Sequence, residues 1–131
     1  MVLVDTSVWI EIFRKRSRAS LETLVDFDDV VTCLPVIQEV LQGFVDERAF
    51  TLAREAMHAL PVVESPLQSV VFDQATTLYR AARRAGFTVR SGVDCLIAAC
   101  ALRHGLEVLH HDRDYDAIAR VSFLRSRRLT L

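Results

Sequence analysis

Short apolar runs alternate with longer amphipathic segments along this chain. The short runs, which suit buried strands, fall at 1–5, 30–33, 61–64 and 107–109. Apolar residues at helical spacing predict helices at 6–15, over Leu21, Leu24 and Val25, and at 35–41, 46–59, 67–85, 91–105 and 114–120. Gly43, Gly86 and Gly105 are expected to end three of these helices.

The order of these elements, β-α-α-β-α-α-β-α-α-β-α, predicts an α/β fold. Strands that are separated by helices pair in parallel, because each connection must cross back over the sheet. We therefore expect a central parallel sheet of four or five strands, covered by helices on both faces. A chain of 131 residues is long enough for one domain with a substantial core, so residues 1–131 are interpreted as a single domain.

Composition adds that this is an ordinary globular chain, with 51% hydrophobic and 25% charged residues. No apolar run approaches the ~20 residues that cross a bilayer. Asp5 and Glu11 interrupt the N-terminal region, which does not resemble a signal peptide, so a cytoplasmic location is expected. Cys33, Cys95 and Cys100 have no paired spacing and lie among apolar residues, which predicts buried free thiols.

Charge is distributed unevenly, although the net charge is only −1. Acidic residues predominate over 1–79 and arginines over 80–131, and Lys15 is the only lysine among the 16 basic residues. A basic flank beside an acidic cluster suits an enzyme that holds a phosphate backbone and cuts it at a metal. Solvated helix faces and the arginine bias of GC-rich genomes explain the same pattern.

Two acids lie in apolar surroundings where an unpaired charge is costly. Asp5 follows the first predicted strand, at the edge of a parallel sheet where α/β proteins bind ligands, although a helix N-cap explains it equally well. Asp94 is the only charged residue between Val93 and Leu102. Asp94 follows Ser91 by three residues, as the acid of a capping box does, but a role as a metal ligand is favoured.

Other acids have weaker local signals. Glu39 falls to one side of the apolar face of its predicted helix, which predicts a partly exposed side chain, and a solvated surface glutamate is the ordinary interpretation. Asp112, Asp114 and Asp116 follow the fourth predicted strand, and one of them is expected to cap the next helix. Because carboxylates dominate the set, Mg²⁺ or Mn²⁺ fits better than zinc, and His110 and His111 are interpreted as neighbours of the site.

Four segments resemble the VapC toxins, ribonucleases of the PIN-domain family. They are VLVDTSVWI at 2–10, QEVLQG at 38–43, TVRSGVDCLIAA at 88–99 and HDRDY at 111–115. The match follows the family's order and spans nearly the whole chain. It implies a PIN-like fold and an acidic quartet at Asp5, Glu39, Asp94 and Asp112, with Asp114 as a fifth member.

The resemblance implies an endoribonuclease in which Mg²⁺ or Mn²⁺ activates water and leaves 5′-phosphate and 3′-hydroxyl ends. Its implied metal ligands are Asp5, Asp94, Asp112 and Asp114, with Ser7 and Arg90 as candidate contacts to substrate or to the ligands. It also implies a homodimer and a VapB-like antitoxin whose C-terminal segment covers the acidic groove. The RNA target is left open.

Three alternatives have different sequence requirements. A phosphotransferase with Asp5 as nucleophile is disfavoured. Haloacid-dehalogenase-like phosphatases need a second acid two residues after the first, where this chain has Ser7. Response-regulator receivers need a lysine late in the chain, whereas the only lysine here is Lys15. A non-catalytic module could use the acids to hold a cation or a basic peptide. A PIN nuclease could instead serve in RNA processing, although the small size of the chain favours the toxin.

Overall fold

The computed structural model describes residues 1–15 and 19–129, in which it has five strands, seven α-helices and one short 3₁₀ helix, Phe27–Asp29. The strands are β1 (Val2–Val4), β2 (Val30–Cys33), β3 (Val62–Val63), β4 (Glu107–His110) and β5 (Ser126–Arg128). The helices are α1 (Thr6–Lys15), α2 (Ala19–Glu22), α3 (Leu34–Gln42), α4 (Glu47–His58), α5 (Ser69–Arg84), α6 (Gly92–Arg103) and α7 (Arg113–Arg120). All strands pair in parallel in the order β3-β2-β1-β4-β5, which confirms the predicted fold class.

The central strands are buried on both faces of the sheet. Leu3 and Val4 are both fully buried although neighbouring residues of a strand point to opposite faces. All four residues of β2 are buried as well. The helices therefore cover both sides of the sheet, as the continuous apolar runs in the sequence require.

Helices α5 and α6 show how the pattern of apolar residues relates to the burial of a helix. α5 buries Val71, Ala75, Leu78 and Ala82, which recur every three or four residues, and it exposes most of the rest. α6 is buried over most of its length, and small residues such as Ala98 and Ala99 let it pack closely between its neighbours. Asp94 is thus carried into the interior by a helix that is otherwise almost wholly apolar.

Several local predictions are confirmed, and two need correction. Gly86 and Gly105 have φ angles of 87° and 63°, the left-handed values expected after α5 and α6. α2 ends at Glu22 and leaves out Leu24 and Val25, which the apolar spacing from Leu21 had placed in this helix. β5 had no counterpart among the predicted runs, because Ser126–Arg128 is polar and pairs with β4 through its backbone.

The predicted state of the cysteines is confirmed, since Cys33, Cys95 and Cys100 are buried and free. Among the described residues, no helix has both the length and the apolar character needed to cross a membrane.

The sheet changes its winding direction at β1. β1 pairs with β2 on one side and with β4 on the other, so the connection that leaves β1 runs to β2 and the connection that leaves the adjacent β4 runs in the opposite direction, to β5. Such a switch point opens a crevice at the carboxyl edge of the sheet. Asp5 directly follows β1, and Asp112 lies two residues after β4, so both acids are brought to this crevice.

Candidate active site

Asp5 is held rigidly at the end of β1. Its backbone N–H donates to the carbonyl of Leu109 at 2.9 Å, which continues the pairing of β1 with β4. Its Oδ2 accepts from the backbone N–H of Ser7 at 3.0 Å and from the Ser7 hydroxyl at 2.6 Å. Its Oδ1 accepts from the hydroxyl of Tyr115 at 2.6 Å. Asp5 is therefore both a cap of α1 and a carboxylate fixed at the crevice.

Asp94, Asp112 and Asp114 form a compact group of carboxylates. One oxygen of each lies within 4.8 Å of the others, a spacing that a single metal ion can bridge. Asp94 is 5% exposed and Asp114 is 1% exposed. Asp94 Oδ2 and Asp114 Oδ1 are buried and have no hydrogen-bond partner among the described residues. We call these three residues the carboxylate cluster.

The electrostatics of the cluster centre on Asp94. Burial raises the pKa of its carboxyl to about 9, and the nearby carboxylates of Asp5, Asp112 and Asp114 add to this shift. Without a cation, this side chain is consequently protonated at neutral pH. A divalent cation would reverse the balance by favouring the ionised form.

Backbone and side-chain donors hold the other two members of the cluster. Asp112 caps α7, since its Oδ1 accepts from the N–H of Asp114 at 2.9 Å. Asp114 Oδ2 accepts from the backbone N–H groups of Arg90 at 3.0 Å and Ser91 at 3.2 Å. The Arg90 guanidinium lies 3.7 Å from Asp112 and 3.8 Å from Asp114, and its side chain is 57% exposed at the mouth of the site.

Glu39 approaches the cluster from α3. It is half-buried, as its position beside the apolar face predicted, and its Oε1 accepts from the Thr6 hydroxyl at 2.8 Å. Burial raises the pKa of Glu39, the Thr6 hydrogen bond opposes that shift, and the charges of Asp5 and Asp112 reinforce it. Glu39 and Asp5 thus lie outside the three-residue cluster but interact with it electrostatically.

The seven candidate site residues meet at the carboxyl edge of the sheet: Asp5, Ser7, Glu39, Arg90, Asp94, Asp112 and Asp114. Asp116 does not belong to this group. The Asp116 carboxylate pairs with Arg128 at 2.9 Å and lies 3.7 Å from Nε2 of His110. His110 is fully buried, and its Nδ1 accepts from the N–H of Asp112 at 3.2 Å. Neither His110 nor His111 belongs to the carboxylate cluster.

Tyr115 is the contact residue that sequence reasoning did not single out. Its ring is fully buried. Burial, followed by the charges of Asp5 and Asp94, raises the pKa of the Tyr115 hydroxyl well above 10, so this group remains a hydrogen-bond donor. In the sequence, Tyr115 is the last residue of the HDRDY segment at 111–115, which assigns no role to its hydroxyl. No local signal identifies a hydroxyl partner that lies 110 positions earlier in the chain.

The donor set fits a hard divalent cation. It consists of carboxylate oxygens, which Mg²⁺ and Mn²⁺ prefer. Asp94 Oδ2 and Asp114 Oδ1 are buried and accept no hydrogen bond from the described residues, and the nearest cation to Asp114 Oδ1 is the Arg90 guanidinium, at 3.8 Å. A buried carboxylate oxygen without a hydrogen bond is costly unless a cation or a proton compensates it. Asp94, Asp112 and Asp114 are the residues that could hold such an ion.

Comparison with known proteins gives one family. The family model described as the PIN domain matches residues 2–121. The VapC ribonuclease Mb1587 of Mycobacterium bovis is 40% identical over 131 residues, covering 96% of this chain and 97% of its own length. Ribonuclease VapC11 of Mycobacterium tuberculosis matches to the same extent.

Solved structures agree on the fold. VapBC2 of Rickettsia felis, bound to a promoter DNA fragment, matches with a TM-score of 0.80 at 12% identity and covers 99% of this chain and 100% of that one. VapC20 of Mycobacterium tuberculosis, described as a toxin that cleaves the sarcin-ricin loop, has a TM-score of 0.70 at 20% identity, with coverages of 95% and 99%.

Proposed function

Because the chain belongs to the PIN-domain family and groups with the VapC ribonucleases, we propose that it is a divalent-metal-dependent endoribonuclease. In this proposal residues 1–131 form a single PIN-like domain that acts as the toxin of a toxin–antitoxin pair. The observation that carries the proposal is the carboxylate cluster, in which one buried oxygen of Asp94 and one of Asp114 accept no hydrogen bond within the part of the chain that the structure describes. Its position at the switch point of the sheet supports a ligand-binding role.

Asp94, Asp112 and Asp114 would hold Mg²⁺ or Mn²⁺, with Asp5 as a further ligand. The bound cation would supply a Lewis acid for the phosphate oxygens and a lowered pKa for water. Asp5 is suited to this place because Ser7 and Tyr115 fix both of its oxygens. Preorganised carboxylates lose little conformational freedom when the ion binds.

Glu39 and Arg90 would act on water and substrate. Thr6 occupies Oε1 of Glu39, so Oε2 is the atom proposed to orient the attacking water in line with the scissile bond. The exposed Arg90 side chain at the mouth of the site is suited to contact a phosphate of the RNA. Cleavage on the 3′-oxygen side of the phosphate would leave a 5′-phosphate and a 3′-hydroxyl.

We further propose a VapB-like antitoxin and a homodimer as partners. A solved structure of similar fold is VapBC-5 of Mycobacterium tuberculosis, described as a member of the VapBC family of toxin–antitoxin systems, with a TM-score of 0.72 at 20% identity and coverages of 96% and 96%. The crevice at the carboxyl edge of the sheet, which the cluster makes acidic, already holds one guanidinium, that of Arg90, beside Asp112 and Asp114. An arginine in the C-terminal segment of an antitoxin would find the same carboxylates and would compete with the metal for them.

The test is induced expression in a bacterial host, with growth recorded and total RNA mapped at its 5′ ends. We expect the wild-type chain to arrest growth and to create discrete 5′-phosphate ends. Asp94→Asn should abolish both effects, whereas Asp73→Asn, the same change at an exposed site on α5, should preserve them. The purified wild-type protein should lose its RNA cleavage in EDTA and regain it with Mg²⁺ or Mn²⁺.

Each alternative gives a different result in this experiment. Growth arrest that persists in Asp94→Asn would support a non-catalytic module that binds a cation or a basic peptide. Accurate trimming of one precursor RNA without growth arrest would support an RNA-processing nuclease. Either result would overturn the proposal that this chain is a toxin ribonuclease.

A further inference from the structure

Tyr115 makes the most buried side-chain contact with the site. It lies in the first turn of α7, its ring is fully buried, and its hydroxyl donates to Asp5 Oδ1 at 2.6 Å. That distance is typical of a charge-assisted bond between a hydroxyl and a carboxylate. The ring packs against that of His110 at a tilt of 35°, with ring centroids 5.0 Å apart, so packing holds the hydroxyl in place.

The hydrogen bonds of Asp5 leave one direction for a further ligand. A carboxylate has about four acceptor positions, two on each oxygen. Ser7 occupies both positions of Oδ2 through its N–H and its hydroxyl, and Tyr115 occupies one position of Oδ1. The remaining acceptor position belongs to Oδ1, the oxygen that Tyr115 contacts.

The same bonds connect Asp5 to the carboxylate cluster. The Ser7 hydroxyl, which donates to Asp5, also accepts from the backbone N–H of His111 at 2.9 Å. His111 immediately precedes Asp112, and Tyr115 follows Asp114. Asp5 is therefore linked at both oxygens to the segment that carries two of the three cluster carboxylates.

We propose that Tyr115 is a positioning residue, whose hydroxyl orients Asp5 so that the remaining acceptor position of Oδ1 serves the divalent cation. The inference rests on the proposed function, because it assumes that the cluster binds a metal. Tyr115 itself does not contact the ion or the RNA. It acts by holding one metal ligand in a single orientation, a role in which loss of the supporting group weakens metal binding.

The decisive variant is Tyr115→Phe, which removes one oxygen and keeps the packed ring. The matched control is Tyr79→Phe, the same change on α5 at a side chain that is 38% exposed. Mn²⁺ binding to the metal-free proteins would be measured by isothermal titration calorimetry, at a temperature where circular dichroism shows each variant to be folded. We expect the Mn²⁺ Kd to rise about tenfold in Tyr115→Phe and to be unchanged in Tyr79→Phe.

A purely structural hydroxyl would lower the melting temperature of Tyr115→Phe and leave its Mn²⁺ Kd within twofold of wild type, which would overturn the inference. Asp94→Asn separates this failure from that of the proposed function. If the wild-type chain binds Mn²⁺ and Asp94→Asn does not, the metal site stands whatever Tyr115→Phe does. A wild-type chain that takes up no Mn²⁺ would overturn the proposed function and this inference together.

A second measurement needs no variant. In protein labelled with ¹³C at tyrosine Cζ, titration with Mg²⁺ should shift the Tyr115 resonance with the saturation of the metal site. The Tyr79 resonance should not move. A Tyr115 resonance that is indifferent to saturating Mg²⁺ would also overturn the inference.

Discussion

The hydroxyl of Thr6 donates to Glu39 Oε1 at 2.8 Å and so joins the first residue of α1 to the middle of α3. Glu39 lies beside the apolar face of its own helix, and the helix alone does not direct its carboxylate. The Thr6 contact selects one orientation and leaves Oε2 for another partner. A residue outside the acidic set thereby controls the position of one of its members.

Thr6→Val should impair the site while preserving side-chain shape. Burial raises the pKa of Glu39 and the Thr6 hydrogen bond opposes that rise, so removal of the hydroxyl should raise this pKa further. If Glu39 acts as a carboxylate, the acid limb of the pH–rate profile for RNA cleavage should move to higher pH. At neutral pH, kcat should fall about tenfold, within the range for lost support of a catalytic carboxylate.

Thr77→Val is the matched control, because Thr77 is exposed on α5 and its hydroxyl donates to the carbonyl of Asp73 in the same helix. Its pH–rate profile should coincide with that of the wild type. An unchanged acid limb in Thr6→Val would mean that Glu39 does not control the low-pH side of the reaction.

Asp94→Asn should change how the stability of the metal-free protein depends on pH. The pKa of Asp94 rises from 3.8 to about 9 on folding, so the folded chain keeps a proton that the unfolded chain releases. This contribution is fully present below about pH 4 and is lost progressively as the pH rises towards 9. The melting temperature of the wild type should therefore fall relative to that of Asp94→Asn across this window.

Thermal unfolding in EDTA at several pH values measures the difference, and saturating Mg²⁺ should stabilise the wild type alone. Asparagine resembles the protonated acid in shape, so the variant should fold normally. Parallel curves for the two proteins would show that Asp94 is already ionised in the metal-free fold.

Arg90→Gln should strengthen metal binding and weaken RNA binding. The guanidinium neutralises part of the charge of Asp112 and Asp114, so its removal leaves the cation without this competitor. Because the side chain is 57% exposed, the gain in Mn²⁺ affinity should be only about two- to fivefold at low salt, and smaller at high salt. The KM for RNA should rise at the same time.

Arg80→Gln, a loss of the same charge from an exposed position on α5, should change neither quantity. Mn²⁺ titrations at two salt concentrations and steady-state kinetics measure the effects. Weaker Mn²⁺ binding in Arg90→Gln would contradict the prediction and would indicate that Arg90 instead supports the ligands.

Two glycines at the ends of α6 should respond in opposite ways to alanine. Gly92 begins the helix without a positive φ, and an added Cβ meets nothing within 4 Å, so Gly92→Ala should stabilise the fold by about 0.4–1 kcal/mol. Gly105 has a φ of 63°, so Gly105→Ala should destabilise it by about 1–2 kcal/mol. Urea unfolding of the two variants tests both signs, and a loss of stability in Gly92→Ala would contradict the first.

The acids illustrate how far local pattern reaches. Asp5 and Asp112 were predictable because each follows a buried strand, and strand ends in a parallel sheet share one edge. Asp94 stood out as the only charged residue between Val93 and Leu102 of a largely buried helix. The pattern could not separate Asp114 from Asp116, because that choice depends on where α7 begins. Asp112 caps the helix, which turns Asp114 towards Asp94 and leaves Asp116 to Arg128.

β5 is a strand that the sequence pattern did not predict. Ser126–Arg128 has no apolar alternation, so nothing in its composition predicts a strand. It forms because β4 presents a free edge, to which any extended backbone can pair. Its arginines then pair with Glu107 and Asp116.

The sequence by itself determined the parallel α/β sheet, the order of its elements and the acids at its carboxyl edge, because hydrophobic periodicity and strand ends are properties of neighbouring residues. The tertiary structure alone decided which carboxylates meet, and it placed Tyr115 on Asp5 and Thr6 on Glu39. These contacts join residues that are 110 and 33 positions apart, and their geometry depends on how whole helices pack against the sheet.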